Sequence, residues 1–206
     1  RILPVIDALR ESGLILSLDT RTAAVMKAGL ASGAHIINDV SALLYDDQAL
    51  EVLASSTCPI VLMHFPGPAQ TPHAQDAYHD PLTDVYDWLE ARIEAVVKAG
   101  IARDRLIADP GIGFGKASAA DNLRLMNGLS LFHGLGVPIL LGASRKRLIA
   151  ALSDDAPTGK RLGGSIALAL KAAEQGAQII RVHDVYESAQ AIRIWAGHRA
   201  VALGRA

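Results

Sequence analysis

Asp19, Asn38, His64, Asp109, the Ser144-Arg145-Lys146 triplet and the pair Arg181 and His183 each close a short apolar run of the length of a buried strand. Carboxylates and an amide in such places offer hydrogen-bond acceptors to a flat nitrogenous ring, and the cations and imidazoles offer charge to an anion. A ring of parallel strands collects whatever stands at its C-terminal ends into one pocket. The chemistry these residues suit is the holding of a polar heterocycle beside an anionic group.

Asp109 ends the strand RLIAD and opens DPGIGFGK. Pro110 and the alternating glycines hold an open turn, and glycine permits close approach to a flat ligand. A carboxylate at the end of an apolar strand is costly unless paired or offered to a ligand, and Lys116 stands beside the turn. Such a carboxylate accepts two parallel hydrogen bonds from an amidine-like edge, the kind a pterin or a guanine presents. The motif has neither the spacing of a dinucleotide fingerprint nor the ending of a phosphate-binding P-loop; a plain tight turn is the alternative. Asp19 in SLDT and Asn38 in INDV stand at neighbouring strand ends, although Asp19 also suits a helix N-cap and Asn38 with Asp39 a turn. In GASRKRL the cations lie at a helix start, the unfavourable end of the dipole unless an acceptor is present; a solvated basic turn is the alternative. In IIRVHDV, Arg181 and His183 alternate and so share a side. Arg181 is hard to bury without an anion, and barrels often bind phosphate after their last strands; a structural ion pair is the plain account.

These groups need elements to carry them. The pattern predicts strands at 14–19, 35–40, 59–64, 105–109, 138–143 and 178–182, with helices at 21–32, 46–55, 82–99, 118–134, 145–152, 161–175 and 184–196. Strands apolar on both faces, alternating with helices, specify a parallel sheet with helical cover. An open doubly wound sheet would carry functional groups at a few strand ends near its switch point, whereas here every strand end carries one, as a barrel mouth demands. A closed barrel has eight strands, so two further βα units, roughly 50 to 70 residues, are expected before Arg1.

The 206 residues suit a single domain, and Lys plus Arg total 20 against 21 for Asp plus Glu, which gives no reason to expect nucleic acid or an anionic membrane as partner. Cys58 is the only cysteine, excluding an intrachain disulfide and a cysteine zinc site. No apolar run reaches membrane-span length, and RILPVIDALRESG reads as an amphipathic helix rather than a signal peptide, so a cytoplasmic setting is expected. His73, Asp76, His79 and Asp80 are metal-capable types, but they read as a polar loop before a helix.

SLDT (17–20), INDV (37–40), MH (63–64), DPGIGFGK (109–116), GASRK (142–146), RLGGSIA (161–167) and IIRVHDV (179–185) occur in an order that resembles the dihydropteroate synthase family of folate biosynthesis. The resemblance spans nearly the whole chain. It implies a TIM-type (β/α)8 barrel of which this chain supplies strands 3–8, joining 6-hydroxymethyl-7,8-dihydropterin pyrophosphate to p-aminobenzoate with release of pyrophosphate. It further implies catalytic roles for Asp19, Lys146 and Arg181, and pterin contacts from Asp19, Asn38, Asp109 and Lys146. Met63, Phe114 and Gly142 match pocket-lining positions, Ser144 a residue near the p-aminobenzoate carboxylate, and Arg181 with His183 the pyrophosphate-binding pair. The resemblance implies Mg2+, whose asparagine ligand falls upstream of Arg1, and a homodimer formed through C-terminal helices. HFPGPAQTPH (64–73) departs from the family's usual methionine-glutamine-glycine after the histidine. A methyltetrahydrofolate-binding methyltransferase of related fold, or a noncatalytic pterin-binding fragment, would share the aspartate and asparagine logic.

Overall fold

A computed structural model describes residues 1–65, 67, 78–116 and 118–204. Helix α1 (Leu3–Leu9) leads into β1 (Ser17–Asp19), α2 (Ala23–Ser32), β2 (Ile36–Asp39), α3 (Ala49–Ala54), β3 (Ile60–Met63) and α4 (Pro81–Lys98). There follow β4 (Leu106–Asp109), α5 (Ala119–Asn127), β5 (Leu140–Leu141), α6 (Arg147–Ala151), α7 (Leu162–Glu174), β6 (Ile179–Ile180) and α8 (Val185–Ala202).

The strands are parallel and lie side by side in chain order. β1 to β4 form one ladder and β5 pairs with β6, while a parallel bridge between Ala108 and Ile139 joins the two sets. An open doubly wound sheet reverses its strand order at a switch point. No reversal occurs among the described strands, and the α/β layering with strands in sequence is that of a barrel wall.

Side-chain parity then assigns the two faces. Leu18, Ile37, Ile60, Leu62, Leu106, Ala108 and Leu141 pack outward into the main core with helix residues such as Leu53, Leu89, Ile93 and Phe132. Val61, Ile107 and Leu140, with Ile36 and Ile179, form a second, smaller apolar cluster on the opposite face. Because strand side chains alternate, the next inward position on each strand is Asn38, Met63, Asp109, Gly142 and Arg181. The register sets Asp19 beside Asn38 and Met63 beside Asp109. One turn of the strand period above an apolar plug, the polar groups therefore share one rim.

Three expectations change. The helix expected over 118–134 ends at Asn127, and a 3-10 segment covers Leu129–Leu135. Gly128 marks the break and lies against α4, where an added Cβ would stand 2.4 Å from Leu82 Cδ2 and push that side chain aside. β1 and β6 are not buried on both faces: Ser17 and Asp19 are exposed, and the apolar Ile179 and Ile180 are half-buried. Asp19 is no helix cap; Thr22 precedes α2 without a side-chain cap bond, and the Ala23 amide donates to Asp46 Oδ2 at 2.8 Å instead.

Arginines tie the loops down. Arg92 of α4 donates to Ala42 O (2.6 Å) and Leu43 O (3.0 Å), holding two residues in left-handed conformation after β2. Arg105 likewise bonds Leu53 O and Cys58 O at the opposite end of the sheet.

Candidate active site

Asp109 is 7 % exposed and its Oδ1 accepts the Gly111 amide at 2.7 Å. Burial pushes its carboxyl up to about 6, although the Gly111 amide and then Lys116, Lys146 and Arg181 pull in the other direction. It is still largely ionised at neutral pH.

The turn after Asp109 depends on glycine. Gly111 has φ +68°, and a Cβ there would meet His64 O at 2.2 Å and Lys116 Nζ at 3.1 Å. Gly111→Ala is accordingly expected to lower stability by about 2–4 kcal/mol through left-handed strain and a backbone clash. A denaturant melt checks this; a midpoint equal to wild type would show that the turn has room to spare. At Gly113 the absent Cβ leaves space for the Lys146 stem, whose Cδ would be 3.1 Å away.

Lys146 precedes α6 with extended backbone, and its Nζ lies 3.8 Å from the Phe114 ring centroid. Burial lowers its pKa, Asp109 opposes that shift and Arg181 adds to it. The cation thus stands over an aromatic face beside the Asp109 turn, which explains how a helix start tolerates it. Phe65 packs edge-on against Phe114, ring centroids 6.3 Å apart. The SRK turn is stitched in place by its neighbours: Arg145 adopts φ +57° and makes a forked ion pair with Asp184, its amide donates to Ser165 Oγ (3.0 Å), and Arg161 donates to its carbonyl (2.9 Å).

Across the rim Asn38 Nδ2 donates to Asp19 Oδ1, and Arg181 Nη2 donates to Asp19 Oδ2 at 2.7 Å. Buried Asn38 keeps an Oδ1 without a hydrogen-bond partner. Arg181 is not buried: its side chain is 55 % exposed and it makes the plain account's ion pair, with Asp19 at the end of β1, 162 positions away in sequence. His183 Nδ1 lies 3.0 Å from Ser144 Oγ, and the His183 amide also meets that hydroxyl at 3.3 Å. Ser144 and His183 therefore form one unit. Gly142 opens the wall between them, its missing Cβ 3.8 Å from Arg181 Cβ.

The structure thus brings Asp19, Asn38, Met63, Asp109, Phe114, Gly142, Ser144, Lys146, Arg181 and His183 to the C-terminal ends of the strands or the loops that follow them. Asp39, considered only as a turn former, is fully buried and accepts from Ser41 N and Oγ and from Leu43 N, so it shapes the β2 loop. Lys116 departs from expectation: it does not bond Asp109 but turns to His64 and two carbonyls. His73 and Asp76 lie outside the described residues. Asp80 caps α4 through Leu82 N and pairs with Arg124, a structural role that holds its carboxyl down at about 2. Among the described residues no three His, Cys, Asp or Glu side chains converge as a metal site, and no helix is long and apolar enough to cross a membrane.

A pocket of this composition, on the C-terminal rim of a parallel α/β wall, defines a class. The family model of pterin binding enzymes matches residues 1–183. The dihydropteroate synthase of Escherichia coli K12 is 40% identical over 195 residues, 94% of this chain and 68% of that protein. The Xanthomonas albilineans dihydropteroate synthase solved with 4-aminobenzoic acid superposes with a TM-score of 0.90 at 43% identity, over 97% of this chain and 71% of the other. The same enzyme in complex with 7,8-dihydropteroate gives 0.89 at 43% identity, over 97% and 73%. The chain belongs to the pterin-binding enzymes of the TIM-barrel class, in the dihydropteroate synthase family.

Proposed function

We propose that this protein condenses 6-hydroxymethyl-7,8-dihydropterin pyrophosphate with p-aminobenzoate, and that the rim residues divide into a pterin set and an anion set. The observation that carries the reading is the buried, ionisable Asp109 facing the mouth beside Lys146 and Phe114. Asp109 accepts the amino and ring N–H edge of the pterin, and Lys146 faces its carbonyl side. Asn38 Oδ1, buried without a partner, supplies a further acceptor. Met63 and Phe114 give the ring apolar surface. Arg181 and His183 receive the pyrophosphate, and Ser144, already bonded to His183, lies toward the p-aminobenzoate carboxylate.

The reaction breaks the bond between the pterin methylene carbon and the pyrophosphate oxygen, and forms one from that carbon to the arylamine nitrogen. Pyrophosphate takes the bonding electrons, and the nitrogen gives up a proton. The protein's part is electrostatic and positional. Arg181 stabilises the charge building on the departing oxygen. As the anion engages Arg181, Asp19 is freed to face the positive charge left on the pterin methylene. Mg2+ enters this reading through the family alone; the described residues offer no cluster to hold it, and no step is routed through it.

We read the six strands as strands 3–8 of an eight-stranded barrel, which their chain-order parallel pairing supports. A cytoplasmic homodimer belongs to the same proposal, supported by the exposed Tyr186, Ile194 and Val201 of α8. A pyrophosphate-release assay tests the activity: release that requires p-aminobenzoate is expected, and tight methyltetrahydrofolate binding without release would favour a methyltransferase. Arg181→Ala is expected to weaken the pyrophosphate ester by roughly 10- to 100-fold and free pterin by less than about twofold, the loss of one charged hydrogen-bonding group. Equal losses for both ligands, read by calorimetry, would make Arg181 structural.

A further inference from the structure

Lys116 is a lysine whose surroundings the chemistry above does not use. It is 4 % exposed, yet among the described residues its ammonium meets no carboxylate at bonding distance. Its three N–H groups have three partners instead: His64 Nδ1 at 2.9 Å, Pro110 O at 2.7 Å and Gly111 O at 2.9 Å. Burying a charge this deeply costs several kcal/mol that such hydrogen bonds repay only in part, and an apolar side chain would fill the space at less cost.

His64 is built as an acceptor for it. The imidazole is 2 % exposed, walled by Trp88 edge-on at 4.9 Å and by Tyr78 at 6.0 Å between centroids. Burial, and secondly Lys116 itself, lowers its pKa to about 3, so the ring is neutral and Nδ1 carries a lone pair. The pair therefore holds at most one positive charge, on Lys116.

From the ammonium the connection runs through the backbone. Lys116 fixes the carbonyls of Pro110 and Gly111, and the Gly111 amide in turn donates to Asp109 Oδ1. We infer that Lys116, seated on His64, is a positioning residue that sets the Asp109 turn and places a positive charge under the pterin-binding carboxylate without occupying its oxygens. This inference rests on the pterin reading of the site.

The charged groups facing Asp109 are Lys116 from its own loop, Lys146 from the start of α6 and Arg181 from the end of β6, with neutral His64 from the end of β3 beyond Lys116. All three cations favour the ionised carboxylate, against burial, which favours the acid. Burial lowers Lys116 to about 7, opposed by Asp109 and assisted by Lys146, so the ammonium is charged at the pH near 6 where Asp109 titrates. Removing it must move the Asp109 titration, and with it the acid limb of pterin affinity, to higher pH.

The test is calorimetric affinity for free 6-hydroxymethylpterin between pH 5 and 8 in wild type, Lys116→Gln, Lys116→Met and Lys116→Arg. Comparing proteins at equal pH cancels the ligand's own ionisation. Gln keeps a donor for the carbonyls and loses only the charge, so it reports even where Met fails to fold. The expected result is an acid limb about one pH unit higher in Gln, restored toward wild type in Arg, with a thermal melt of Gln near that of wild type. Pterin binding by wild type with the same limb in Gln would overturn the inference and leave the site standing. No pterin binding by wild type at any pH would overturn both.

Discussion

Asp109→Asn is expected to weaken free pterin binding at pH 8 by about 30- to 150-fold, or roughly 2–3 kcal/mol, because a charged double acceptor becomes a neutral group with one acceptor oxygen. The same substitution is expected to stabilise the unliganded protein at that pH. The sign follows from the titration: the folded value, about 6, lies above the ordinary carboxyl value of 3.8. Stability from the protonated form is full below about 3.8 and is lost as pH rises through about 6, so at pH 8 the fold carries an ionised buried carboxylate at a cost of about 3 kcal/mol. Asparagine keeps an acceptor for the Gly111 amide and removes the charge. Thermal melts at pH 5 and pH 8, with calorimetry at pH 8, read both halves; the stabilisation is expected to shrink at pH 5. Unchanged pterin affinity would remove Asp109 from the site, and a lower melting point at pH 8 would show that the carboxylate is structural.

Lys146→Ala carries the second large effect, a loss of pterin affinity of about 10- to 100-fold. The substitution takes away both the cation over Phe114 and the donor toward the ring carbonyl. The turn itself is expected to persist, because Arg145 with Asp184, Ser165 Oγ and Arg161 hold it independently of the Lys146 side chain. Affinity measured together with far-ultraviolet circular dichroism separates the two. A folded protein with wild-type affinity would reassign Lys146 to packing of Phe114 alone.

The sequence makes the polar strand ends easy to find, since Asp19, Asn38, Asp109 and Arg181 interrupt apolar runs. It does not say which face of each strand looks into the barrel. In β3 and β4 both faces are apolar, so parity becomes visible only when Val61 and Ile107 cluster apart from Ile60, Leu62 and Leu106. Pairings between distant loops are hidden for a related reason. Nothing local links Asp19 to Arg181 or Arg145 to Asp184; the pairing of β5 with β6 brings the second pair together, and the first joins the ends of β1 and β6. The role of Lys116 is subtler still. Its position beside the Asp109 turn suggests a carboxylate partner, but the glycine at 111 lets the backbone carbonyls come closer, and His64 completes the set. The change from α-helix to 3-10 segment at Gly128 leaves no mark in the periodicity of 118–134.

A crystal structure with free 6-hydroxymethylpterin bound tests the central claim most directly. The account predicts the pterin amino and ring N–H groups on the Asp109 carboxylate, Lys146 Nζ on the carbonyl side and the ring against Met63 and Phe114, with Arg181 and His183 left free for the anion. A pterin seated elsewhere, with Asp109 bonded to Gly111 alone, would contradict it.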